Sequence, residues 1–170
     1  MIATHMSRDN EYIEQIKLEM KTNYAKHLDY MFNIPYFDED VYTKQHHLDK
    51  SESTIGKHIM HMYHHTNIFN NHIGIGNEEI SGHISFSITN HSIIGLPALK
   101  KIIIATSDNY QLTQRTITIK DDGMEYETST LIELISLNSH LIHHFGTIRH
   151  MLLDGGIGNI PNYFGVKERK

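Results

Sequence analysis

Residues 130–156 read TLIELISLNSHLIHHFGTIRHMLLDGG. Leu137, Leu141, Ile148 and Met151 recur at intervals of three, four and seven, the rhythm of a helix that buries one stripe of its surface. The helix is predicted to start near Ser129 or Thr130 and to run to about Leu153, where Gly155 and Gly156 end it. His140 and His144 share its apolar face, whereas His143 turns towards the edge. A long helix with imidazoles beside its buried stripe sets the question for the rest of the chain.

Upstream, QRTITIKDDGMEYET at 114–128 alternates β-branched and polar residues on both sides of Asp122-Gly123, a dipeptide that favours a tight hairpin turn. A shorter helix, PALKKIIIATSDN, is predicted over 97–109 with Pro97 in its first turn. The segment ISGHISFSITNHSIIGL before it has weak patterning and reads as loop or irregular helix.

Two further helices precede these. Over 9–33, Ile13, Ile16, Met20, Tyr24, Leu28 and Met31 mark one buried face, and Pro35 closes the helix. A short helical turn fits the polar connection around Val41 to His46. The next long helix is predicted from Ser53, as its cap, to about Ile73, with a stripe of Ile55, Ile59, Met62, Phe69 and Ile73. Three long helices, one shorter helix and an inserted hairpin predict a mainly all-α chain, a helical bundle in one domain over 1–170.

The bulk properties narrow the function. Hydrophobic residues at 39% and charged residues at 21% place the chain among soluble globular proteins, and 170 residues suffice for a core without staples. A formal charge of −5 with no lysine- or arginine-rich stripe argues against a nucleic-acid partner, and the basic end VKERK reads as a solvated terminus. No run approaches the ~18 apolar residues of a membrane span, and MIATHMSRDN lacks the apolar core of a signal peptide, so the expected compartment is the cytoplasm. The absence of cysteine excludes disulfides, thiolate catalysis by the chain and cysteine-ligated zinc. Any metal site must use nitrogen and oxygen.

Fifteen histidines are the one compositional anomaly. Placed at random they would give about one pair four residues apart, and this chain has two, so spacing alone does not establish a metal. Position adds more. On the second long helix His58, His61, His65 and His72 fall within an arc of roughly 60° beside the apolar stripe, and His64 points elsewhere. Packed against the last helix, His61, His140 and His144 could meet at one point. Three neutral imidazoles suit zinc, nickel or iron and leave coordination positions open for water or substrate. The alternative is histidines that hydrogen-bond in the core or sit in solvent.

His58 or His65, one turn to either side of His61, could replace it or support the site. Glu133 lies near the face of His140 and could act as a base, but Thr130-x-x-Glu133 is also a capping-box pattern, the favoured reading. Tyr24 and Tyr30 could line a pocket, although an aromatic on such a helix is more often core. The eight methionines read as packing rather than as soft ligands.

Two segments, STIGKHIMHMYHH at 53–65 and TSTLIELISLNSHLIHHFGTIRHMLLDGGIGNIPNYFGV at 128–166, resemble the DinB/YfiT-like superfamily, in particular its bacterial branch. The resemblance is close over about fifty residues and loose over most of the chain. It implies a four-helix bundle in which His61, His140 and His144 bind a divalent metal, the positions that the helical geometry also selects. It further implies a metal-dependent enzyme that activates water, as a hydrolase, or a low-molecular-weight thiol, as a transferase, on a small-molecule substrate. A homodimer through exposed helix faces is typical of that family, though nothing in the sequence demands one. Two departures stand out: GHISFSITNHS has no arginine or glutamate where the branch is charged, and the chain ends GVKERK where the branch continues with alanine, proline and serine. A non-catalytic metal-binding or stress-associated module is therefore the competing function.

Overall fold

The computed structural model describes residues 8–35, 37, 39–46, 54–73, 95–109, 116–121 and 124–166. The chain is mostly helical with one small two-stranded sheet.

The first helical rod comprises α1 (Arg8–Glu19), a π-helical turn at Met20–Tyr24 and α2 (Ala25–Phe32), joined without a break in helical backbone. Its six predicted core residues, Ile13, Ile16, Met20, Tyr24, Leu28 and Met31, are all buried. The π turn has a physical reason in the sequence. From Ile16 to Leu28 the apolar residues come every four, so over three turns a regular helix would rotate the stripe off the core by about one residue. The wide turn absorbs that residue and keeps the stripe facing inward.

After α3 (Glu39–Thr43), buried His46 reaches the end of the last helix, its Nδ1 lying 2.9 Å from Asp154 Oδ2. The second rod is α4 (Ile55–Ile68), continued by a π-helical turn at Phe69–Ile73. Its N-cap is Thr54, not Ser53 as expected: the Thr54 hydroxyl accepts from Lys57 N–H at 3.0 Å, and its extended backbone starts the helix one residue later.

Helix α5 (Gly95–Asn109) begins two residues before Pro97, which sits in the first turn as its missing N–H allows. The weakly patterned segment before it lies outside the described residues, apart from Gly95 and Leu96, which are helical. Strands β1 (Thr116–Asp121) and β2 (Met124–Ser129) pair antiparallel, with Ile117 opposite Thr128 and Ile119 opposite Tyr126. Pairing of Asp121 with Met124 leaves a two-residue connection, and the predicted Asp122-Gly123 turn itself lies outside the described residues. Ile117 and Ile119 are buried, while Thr116 and Lys120, which alternate with them along β1, are exposed, as in a half-covered hairpin.

Helix α6 (Thr130–Asp154) is the longest element. α4 packs against both α5 and α6, and the first rod packs on α5 and, through α1, on α6. Each fully buried Leu, Ile, Met or Phe side chain in this shared core contributes about 1.5–3 kcal/mol, among them Ile59, Met62, Leu134, Leu141 and Phe145.

Beyond α6, residues 157–166 return to the first rod. Ile160 and Phe164 are buried, and Arg149 donates to the carbonyls of Pro161 at 2.8 Å and Phe164 at 3.1 Å. Gly165 donates its N–H to His27 Nε2 at 2.9 Å, while His27 Nδ1 faces Asn23 O at 2.6 Å. Gly165 takes φ +67, and a Cβ there would stand 2.6 Å from Phe145 O and 2.8 Å from Gly146 Cα. Two glycines thus let two backbones touch. No described helix is long and apolar enough to cross a membrane.

Candidate metal centre

Helices α4 and α6 face each other in opposite directions, so that His58 meets His144 and His65 meets His140. His61 lies between these pairs, its ring centroid 4.4 Å from that of His65, 4.8 Å from His140 and 4.6 Å from His144. Five imidazoles therefore form one cluster across a single helix interface. Among them His61, His65 and His140 each offer a nitrogen within 4.8 Å of the others, a group that could hold a metal ion.

His144 is the most enclosed of the five, at 8% exposure. Its Nδ1 lies 2.6 Å from His58 Nδ1 and its Nε2 lies 3.2 Å from His140 Nε2. Two nitrogens bound to one tetrahedral zinc at ordinary bond lengths stand about 3.3 Å apart. The His140–His144 spacing is therefore one that a shared ion would accept.

The electrostatics favour the neutral rings that a metal needs. Burial lowers the pKa of His61 from 6.5 to about 4, with His65 and His140 adding to the effect. His140 is lowered to about 4 by burial and then by His65, and His58 to about 4 by burial and then by His143. His65 and His144 shift in the same direction, burial again being the main cause. Bringing a second proton into the cluster would set like charges side by side in a poorly hydrated place. At neutral pH the lone pairs are thus available to a cation.

His61, His140 and His144, the three residues singled out by helical spacing, all have rings in the cluster, but the group whose nitrogens converge holds His61 and His140 with His65 in the place expected for His144. His65, which the sequence offered only as a substitute, belongs to the convergent group. Its signal was the four-residue spacing from His61, the same spacing that drew attention to His140 and His144. His143 is exposed, as its place at the helix edge implied, and the side chain of His72 lies outside what is described.

The capping-box reading of Glu133 is corrected. Ser129 caps α6, accepting from Ile132 N–H at 3.2 Å, so Thr130 is already helical and Glu133 stands one place too far along for the reciprocal bond. Glu133 instead lines a cleft of about 150 Å³ together with Ser136, His65 and His140. Tyr24 proves to be core: it is buried, stacked on Phe145, and donates its hydroxyl to Asn138 Oδ1 at 2.5 Å. Tyr30 borders a different, open cleft with Pro35 and Ile157.

No family model, curated protein or solved structure matches this chain.

Proposed function

We propose that the protein is a divalent-metal-dependent enzyme of DinB-like type, a hydrolase or thiol-dependent transferase whose ion is held by His61, His140 and His144. The observation that carries this reading is the convergence of neutral imidazoles from α4 and α6 beside an open cleft. The mostly helical architecture, with two helical rods and the helices α5 and α6, supports this reading. An all-nitrogen donor set suits zinc, nickel or iron. Such an ion, when bound, supplies a Lewis acid that lowers the pKa of a coordinated water or thiol towards neutrality.

The chain's own residues have separate tasks in this account. His58 occupies the outer nitrogen of His144, which leaves His144 Nε2 directed at His140. His65, next to His140 on the cleft side, is a fourth imidazole at the place where substrate would enter. Burial keeps the rings neutral.

That fourth imidazole also supports a second reading. His61, His65, His140 and His144 together could close a tetrahedral shell, the mark of a structural ion in a non-catalytic binding module. Melting the metal-loaded protein with and without chelator separates the two. A closed structural site loses much of its stability with the ion, whereas an open catalytic site keeps most of it and gains activity in hydrolase or thiol-transfer screens when the ion is restored.

A further inference from the structure

The cleft beside the histidine cluster has a chemical character of its own. It is lined by His65 and His140 of the cluster and by the polar side chains of Glu133 and Ser136. Ile68, Phe69 and Leu137 make up its apolar lining. Glu133 is half-buried and has no hydrogen-bond or ion-pair partner among the described residues. Its expected capping duty belongs to Ser129.

Among the described residues no lysine or arginine lines the cleft. The carboxylate of Glu133 would therefore repel an anionic ligand there and attract a cationic one. On α6, Glu133 precedes His140 by seven residues, two turns or about 10 Å of rise. Both side chains lean towards the start of the helix, so this separation is kept. A metal-bound donor, a short carbon chain and a hydrogen bond to the carboxylate together span a distance on the order of 10 Å. The volume of about 150 Å³ is on the order of that which admits a benzene-sized molecule.

We infer that this cleft selects small molecules that carry a metal-coordinating donor and, a few bonds away, a protonated amine held by Glu133. The inference rests on the metal reading above and narrows its substrate class: an aminothiol or an amine-bearing ester or amide fits, and a carboxylate-bearing thiol without an amine does not. Ser136 offers a hydroxyl in the same cleft, and its apolar lining suits the carbons of such a molecule.

The test uses the full chain loaded with cobalt(II) and three probes that share a thiol donor but differ in charge: 2-aminoethanethiol, 2-mercaptoethanol and mercaptoacetate. Binding is read from the sulfur-to-cobalt absorption band. In the parent the amine should bind about tenfold more tightly than the neutral probe, and mercaptoacetate more weakly than either. In Glu133→Gln, cobalt content and 2-mercaptoethanol affinity should stay unchanged while the charge order collapses. A charge order that persists in Glu133→Gln, as chelation by the amine alone would give, overturns the inference, as does mercaptoacetate binding as tightly as the amine. Failure to take up cobalt at all overturns the metal reading and the inference with it. Uptake with a flat charge order overturns the inference alone.

Discussion

The Nδ1 atoms of His58 and His144 lie 2.6 Å apart across the α4–α6 interface. A histidine whose outer nitrogen is held in this way has its tautomer and ring orientation set before any ligand arrives, and the inner nitrogen, here 3.2 Å from His140 Nε2, is the one left to coordinate.

Replacing His58 with Leu should therefore lower metal affinity by about tenfold without changing the number of ions bound per chain. His58→Asn, which can still hydrogen-bond to the outer nitrogen, should recover part of the loss. Competition against a chelator of known affinity measures both. An unchanged affinity in His58→Leu would show that His144 needs no outer partner.

The third ligand can be assigned by single substitutions. His144→Ala should abolish stoichiometric binding, as should His61→Ala and His140→Ala, while His65→Ala should retain the ion with affinity reduced by no more than about tenfold. Calorimetric titration with zinc decides between them. The reverse pattern, with binding lost in His65→Ala and kept in His144→Ala, would give the third place to His65.

Acid should weaken the metal-free fold through this cluster. His61, His140 and His58 titrate at about 4 in the folded chain against 6.5 in the reference state, because burial disfavours the cation. With folded values below the unfolded ones, the unfolded chain takes up protons first as pH falls. The stability from these groups is therefore present above about 6.5 and is lost between 6.5 and 4. The melting temperature of the metal-free parent should drop by on the order of 5 °C across that window. The double variant His61→Gln with His140→Gln should show a shallower slope. Equal slopes would show that the cluster is more hydrated than its packing implies.

Gly165→Ala should destabilise the chain by about 2 kcal/mol or more, because φ +67 is strained for alanine and the new methyl would meet Phe145 O at 2.6 Å. His27→Ala removes the acceptor for Gly165 N–H and four aromatic contacts, and should cost at least as much. Chemical denaturation measures both. Losses below about 0.5 kcal/mol would mean that residues 157–166 are not tied down as the structure has them.

Much of this arrangement was legible before any coordinates. The buried face of the first rod follows from six apolar positions, and its run of four-residue spacings even carried the trace of the π turn, although spacing alone does not say where the extra residue goes. The hairpin was readable from alternation around Asp122-Gly123. Helix starts were less so, because adjacent hydroxyl residues compete as caps. Ser53 precedes Thr54 and Ser129 precedes Thr130, and backbone conformation chose the second member of one pair and the first of the other.

The candidate site was legible as a face but not as a ligand set. Helical angles place His58, His61 and His65 together, yet which nitrogen meets which depends on how α4 and α6 slide along each other. The seat of His27 was not legible either. Its partners, Phe145, Phe164 and Gly165, lie over a hundred residues away, and only the folded chain brings them to one ring.

The central claim is a divalent ion between α4 and α6, and metal content per chain tests it most directly. Tag-free protein, purified without an immobilised-metal column and then supplied in turn with zinc, nickel and iron, should retain close to one ion per chain after dialysis. The variant carrying His61→Ala, His140→Ala and His144→Ala should retain none. A parent that holds no ion under these conditions, or a triple variant that binds as well as the parent, would contradict the account.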